Sequence, residues 1–197
     1  IMIGELLGDR EVGIFAAAAR MSELSFFIPT IIIASATTAI IQSKNLGNEI
    51  YLRRTQKLLD LTALLALGVA ILMTLFSGLI INILFGAEYA EAAPLLAVHA
   101  WSGLFSCLGA ASGVWMTSEG LQKNLFYRTV YGLIVNVLLN YWWIPIFGVM
   151  GAAMATICSQ MMMSYLSDAF SSKTRIMFYM KTEALLLKNL ITGSLKK

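Results

Sequence analysis

The sequence predicts an all-α, polytopic membrane bundle of about five spanning helices, and three observations predict it. Of 197 residues, 58% are hydrophobic and only 13% charged, against about 25% charged in an ordinary soluble domain. Five apolar runs are each long enough to cross the roughly 30 Å hydrocarbon core as a helix rising about 1.5 Å per residue. The segments between those runs alternate in charge, acidic at one end and basic at the other.

Residues 1–11 begin with too few apolar residues to span and turn acidic through Glu5, Asp9 and Glu11 against a single Arg10. They read as the last turn of a helix followed by a loop. The first residue is Ile1 rather than Met and no signal peptide opens the chain, so the chain reads as the C-terminal part of something longer. Residues 12–43 form the first span, closed by a polar stretch with Lys44. The second span covers 58–85, with Arg53, Arg54 and Lys57 before it and no charge from Leu61 onward. After Glu88 and Glu91, Pro94 suits the first turn of the third span, 94–117, because a missing N–H there costs nothing. This span carries Gly103, Gly109 and Gly113 as a small-residue face. Gly109 and Gly113 form a GxxxG, whose ordinary meaning is helix contact. The fourth span, 125–144, closes in Trp142 and Trp143, an aromatic pair suited to a membrane interface. The fifth, 149–170, is interrupted only by hydroxyl and amide side chains and by Asp168. Together residues 1–170 read as one transmembrane unit and 171–197 as a basic tail. In the tail, Ile176, Met180, Leu187 and Ile191 recur at helical spacing with Lys181 and Lys188 on another side. An amphipathic helix lying on the membrane surface and a frayed basic terminus both fit it.

Basic residues follow spans one, three and five, and acidic residues hold the opposite ends. By the positive-inside rule this places the N-terminus outside and the C-terminus in the cytoplasm, with five crossings and no conflict. There is no basic stripe for nucleic acid, no metal-ligand cluster, no phosphate-cradling glycine loop with lysine and no nucleophile triad. No cofactor is expected, enzymatic catalysis is unsupported, and transport is the leading class. Cys107 and Cys158 fall inside apolar runs, as membrane-buried thiols do.

The first span is the only strongly apolar run with opposite charges near its middle. Arg20 and Glu23 lie roughly 12 to 16 Å below its start, where ions normally face a bundle interior or a watery cavity. Three residues apart, they share a helix face and can pair with each other. A self-neutralising pair that packs two helices is the structural alternative. The functional reading is favoured because buried pairs often fail to repay their desolvation and because arginine suits phosphate recognition. Pro29 removes a backbone hydrogen bond and can bend this helix, giving a candidate gating element. His99, about one turn into its span, is read as a satisfied interfacial histidine, with proton coupling as the alternative. Asp60 lies three residues after Lys57, which predicts an interfacial pair.

Three stretches, GDREVGIFAAAARMSELSFFIP (8–29), ILFGAEYAEAAPLL (83–96) and LNYWWIPIFGVMGAAMATICSQ (139–160), together resemble the C-terminal lobe of the bacterial O-antigen and polysaccharide flippases. These belong to the multidrug/oligosaccharidyl-lipid/polysaccharide exporter superfamily. The resemblance extends to about Phe170. It implies one lobe of a two-lobe exporter with about a dozen spans and a cavity between the lobes, of which this chain would supply the end of helix seven and helices eight to twelve. It further implies flipping of an undecaprenyl-pyrophosphate-linked oligosaccharide, such as an O-antigen repeat unit for lipopolysaccharide, across the bacterial inner membrane by alternating access, driven by an ion gradient. Arg20 would meet the pyrophosphate, and Glu23 would position it or take part in ion coupling. Pro29 and His99 stand as candidates for gating or coupling. The implied partners are the bilayer, the lipid-linked substrate and the N-terminal lobe, with a polysaccharide polymerase as a candidate. An ion-coupled multidrug antiporter of the same superfamily and a non-transporting truncated remnant are the alternatives.

Overall fold

The computed structural model describes residues 2–191, and among them the chain is helical with no β-strand. α1 (Met2–Leu7) and α2 (Asp9–Ser25) are separated by Gly8 alone, at φ +100°. The loop expected over residues 1–11 is therefore a single residue. Asp9 and Glu11 are drawn into the first turn of α2, where the helix dipole favours carboxylates. α3 (Phe27–Ser43) follows, and a short 3₁₀ turn at Lys44–Leu46 leads into α4 (Asn48–Phe85). After a second 3₁₀ turn, Ala87–Tyr89, come α5 (Ala92–His99), α6 (Ser102–Ser118) and α7 (Gln122–Phe147). α8 (Val149–Ser164) is extended by a 3₁₀ stretch, Leu166–Phe170, and the tail forms α9 (Arg175–Leu185) and α10 (Lys188–Ile191).

Among the described residues five helical units are long and apolar enough to cross a membrane: Asp9–Leu46, Asn48–Phe85, Ala92–Ser118, Gln122–Phe147 and Val149–Phe170. The predicted bundle stands, with longer and more broken members than the apolar runs suggest. α4 starts ten residues ahead of the expected span at 58 because its polar opening is itself amphipathic. Tyr51 and Thr55 are buried against the bundle, and Glu49 pairs with Arg53 one turn on at 2.8 Å. α7 continues through Pro145 to Phe147, since one lost N–H in an exposed last turn costs little.

The unit α5–α6 is the most enclosed of the five, with 67% of its apolar window buried against 17% for those of α4 and α7. It is flanked by α3, α4 and α8, while α2 packs on α5 and α7 packs chiefly on α8. Leu72, Leu75, Leu79 and Ile83 expose one stripe of α4, and Leu133, Tyr141, Trp142 and Ile146 expose α7. Apolar surface on that scale is covered by lipid or by further protein. The buried apolar side chains form two separate clusters. One, at the basic end, joins α3, the first half of α4, α6 and α9 around Leu59, Leu108 and Met177. The other, at the acidic end, joins α2, the end of α4, α5 and the start of α8 around Ile14, Ile81 and Leu96.

The ends of the bundle are themselves tied by charge. Arg10 bonds Glu91 at 2.8 Å, and the Arg10 hydrogen bond holds the Glu91 carboxyl below its usual range. At the other end Lys44 pairs with Glu119 at 2.9 Å. The tail departs from its expected orientation. α9 turns Met177, Lys181 and Ala184 inward, whereas Ile176 is 38% exposed and Lys181, read with Lys188 on the polar side, is fully buried. A buried carboxylate, Asp168, draws Lys181 in at 2.6 Å. The side chain of Ile191, and Lys196 and Lys197, lie outside the described residues.

Candidate functional site

The 38-residue unit Asp9–Leu46 is broken at Phe26, where two 17-residue helices meet. The N–H of Phe26 reaches only three residues back, to the Glu23 carbonyl at 3.1 Å, and the Thr30 N–H resumes the four-residue pattern to Phe26. Pro29, buried in the first turn of α3, has no N–H for the Ser25 carbonyl. The break therefore falls three residues ahead of the proline. The Thr30 hydroxyl donates to the carbonyls of Phe26 and Phe27, both at 2.8 Å, and so satisfies the loosened turn from the side.

Pro29, whose ring crowds the Ser25 carbonyl, sets the break one turn upstream, and a glycine on the neighbouring helix seats the residue at the break. The Phe26 ring sits against Gly103 of α6 so closely that a Cβ there would lie 1.8 Å from its Cε1. Gly103→Ala is therefore expected to dislodge the ring and to cost about 1–3 kcal/mol through overpacking, measured as a lower unfolding free energy in detergent. Of the GxxxG, only Gly109 is used in the same way, receiving the Ser164 side chain, while Gly113 faces open space.

Arg20 and Glu23 line one open groove of about 590 Å³ with Leu24, Phe27, Thr30 and Phe85. Both side chains are exposed, and among the described residues neither makes an ion pair or hydrogen bond. The Arg20–Glu23 pairing that their spacing permits is not formed. The groove is otherwise mostly apolar, and it reaches from the helix break to Phe85, the last residue of α4. Its chemistry is that of one cation and one carboxylate held apart beside a loosened turn, on a bundle face with little else covering it. Discontinuous helices of this kind are where membrane transporters place substrate and ion sites.

His99 lies apart from this groove, at the end of α5. It is 6% exposed, edge-on to Phe15 at 5.7 Å, and its Nδ1 has no hydrogen-bond partner. It is thus packed inside the bundle, and its Nδ1 is not satisfied. Just beyond it the second break, between α5 and α6, is bridged by the Trp101 indole N–H donating to the Thr74 hydroxyl at 3.2 Å, which itself donates to the Ala97 carbonyl at 3.1 Å. Asp60 is also buried, and it accepts hydrogen bonds from Gln56 at 2.7 Å and Asn189 at 3.1 Å rather than pairing with Lys57. Lys57 is carried around the helix into a shallow apolar recess with Arg54.

Two polar constellations escape a linear reading. Arg128 of α7, Asp168 of the 3₁₀ stretch and Lys181 of α9 meet inside the basic end. Arg128 donates to the Gly109 carbonyl at 3.0 Å and Ser112 Oγ at 3.2 Å, and Lys181 donates to Asp168 and to the Ser164 carbonyl, each at 2.6 Å. Burial pushes the Lys181 ammonium down to about 8, with Asp168 opposing it. Nearer the acidic end, Asn140 donates to Asn136 at 2.9 Å and Asn136 to Ser159 at 3.1 Å, stitching α7 to α8. The two cysteines are free. Among the described residues no cluster of three or more histidine, cysteine or carboxylate side chains could hold a metal.

The family model MatE matches residues 1–142. Over 179 residues the chain is 28% identical to a probable flippase, AglR, of Haloferax volcanii, an alignment covering 85% of this chain and 36% of that protein. Over 89 residues it is 34% identical to an uncharacterized membrane protein of Methanocaldococcus jannaschii, covering 45% of this chain and 17% of that one. The chain thus spans about a third or less of the length of these relatives. No solved structure matches it. With five membrane-crossing units and a family model matched over most of its length, the chain belongs to the MatE family, within the multidrug/oligosaccharidyl-lipid/polysaccharide exporter superfamily.

Proposed function

We propose that this chain forms the C-terminal lobe of a flippase that moves an undecaprenyl-pyrophosphate-linked oligosaccharide, of the kind used for O-antigen and lipopolysaccharide, from the inner to the outer leaflet of the bacterial inner membrane. The N-terminus lies outside and the C-terminus in the cytoplasm. The single observation that carries the reading is the exposed, unpaired Arg20 beside the break in the α2–α3 unit. A guanidinium that does not pair with the carboxylate sharing its groove has its donors free for a diphosphate, to which it can bond in bidentate fashion. Glu23, one turn away and also free, positions the head group or couples an ion. The broken helix supplies the moving wall, and the opposing wall comes from the N-terminal lobe. The likeness to a probable flippase supports this reading.

A multidrug antiporter of the same superfamily is the competing reading, and the distribution of acids disfavours it. Asp60 and Asp168, the carboxylates buried in the bundle among the described residues, are each already engaged by partners. In the full-length protein, Arg20→Ala is expected to abolish surface polysaccharide assembly while the protein is still inserted, and Arg20→Lys to retain part of the activity. Normal polysaccharide in the alanine variant would overturn the assignment, and altered drug susceptibility in its place would favour the antiporter.

A further inference from the structure

We propose a second, separate ligand site at the basic end of the bundle: a small pocket beside Arg128 that binds a phosphate group, presented either as free phosphate or on an anionic lipid head group. It does not rest on the role given to Arg20. The pocket, about 240 Å³, opens between the start of α7 and the segment running from the 3₁₀ stretch into α9, and is lined by Asn124, Tyr127, Arg128, Tyr131, Asp168 and Ser171, among others.

The argument starts from charge. Arg128 is 9% exposed, Asp168 1% and Lys181 fully buried. Lys181 holds Asp168 at 2.6 Å, whereas among the described residues the guanidinium of Arg128 is bonded only to neutral acceptors, the Gly109 carbonyl, Ser112 Oγ and the Met116 sulfur. Two buried cations thus share one carboxylate and leave a net positive charge beside a cavity. Neutral hydrogen bonds offset only part of the cost of burying an ion, so an anion in the cavity would be favoured.

The lining suits that anion. The Asn124 amide and the hydroxyls of Tyr127, Tyr131 and Ser171 can all donate to a phosphate oxygen, and among the described residues none of the four makes a side-chain hydrogen bond. A metal cation is disfavoured, because the one carboxylate in the lining already belongs to Lys181. The volume lies below the roughly 300–1,000 Å³ of sites for drug-sized molecules, which fits a head-group fragment. Lys123 and Lys173, next in sequence to lining residues, add to the positive field, and basic pockets between spans at a membrane face are where acidic lipid phosphates dock.

The test uses full-length protein in detergent, titrated with phosphatidylglycerol or phosphatidylcholine and read by native mass spectrometry, with a parallel arm in which inorganic phosphate is scored by thermal shift. Arg128→Gln is the direct variant, but Arg128 also packs α7 against α6. Ser171→Asp therefore serves beside it, placing a negative charge in the pocket without removing a hydrogen bond, and Ser172→Asp, one residue away and outside the lining, controls for general electrostatics. The expected result is preferential retention of phosphatidylglycerol, at least fivefold weaker in Ser171→Asp and less than twofold weaker in Ser172→Asp. A thermal shift with inorganic phosphate, lost in Ser171→Asp, identifies free phosphate as a ligand. Binding of phosphatidylglycerol alone identifies a lipid head group. Equal retention of both lipids with no phosphate effect, or equal weakening in the two aspartate variants, overturns the proposal.

Discussion

Asp168→Ala is expected to lower the unfolding free energy by about 3–5 kcal/mol, the usual cost of removing one partner from a buried ion pair. Asp168 and Lys181 are almost wholly excluded from solvent and 2.6 Å apart. Without the carboxylate, the ammonium keeps only the Ser164 carbonyl and lies in a region that already contains Arg128. The loss should fall first on α9, because Lys181 is the centre of its inward face and the pair ties that face to the end of the fifth span. Replacing both partners together, Asp168→Leu with Lys181→Met, removes the unpaired charge and is expected to recover most of the loss. Unfolding in mixed detergent–SDS micelles measures both. A single variant within about 1 kcal/mol of the parent, the range of an exposed surface pair, would show that the pair does not hold the tail to the bundle.

Gly151→Val is expected to be comparably damaging for a different reason. A Cβ at Gly151 would sit 2.3 Å from the Trp143 carbonyl oxygen and 2.6 Å from its carbon. These are backbone atoms and cannot swing away as a ring can. The α7–α8 hairpin, closed by Gly148 at φ +59°, would have to open at its turn, so the cost should reach or exceed the top of the roughly 1–3 kcal/mol range for overpacking. Gly113→Ala supplies the contrast. It meets nothing within 4 Å, and should be neutral or stabilising by up to about 1 kcal/mol, since alanine is the better helix former. A destabilisation by Gly113→Ala equal to that of Gly151→Val would contradict the contact geometry.

The five crossings were legible because hydrophobic length is a local property, summed along one segment at a time. The break at Phe26 was only half legible. Pro29 announces an interruption one turn upstream, but the seat of the Phe26 ring on Gly103, seventy-seven residues away, is a tertiary contact that no local pattern shows. The second break, around Ala100 and Trp101, has no proline or glycine within it to announce it. α4 outran its apolar run because a polar helix is stabilised by burying one face, which composition averages away. The Arg128, Asp168 and Lys181 cluster was missed because each charge alone looks like an interfacial residue. A signal was nonetheless present, since Arg128 and Asp168 each lie twenty residues from Gly148. Two helices folded back at that glycine bring residues of equal separation to one level. Lys181 was read with Lys188 on the polar side of the tail, a side that usually meets water, and its buried partner Asp168 reverses that preference. For Arg20 and Glu23, spacing showed that they share a side of the helix, and the fold adds that they stand unpaired in a common groove.

The division of the apolar core into two clusters has a mechanical consequence. Among the described residues no side chain belongs to both, and the first and third spans are interrupted between them, so the molecule is built like two collars threaded on shared rods, chiefly α4. Stiffness resides in the collars and compliance in the waist. Tilting one collar against the other is expected to load the backbone turns near Phe26 and Trp101 first, with the unbroken α4, α7 and α8 resisting it.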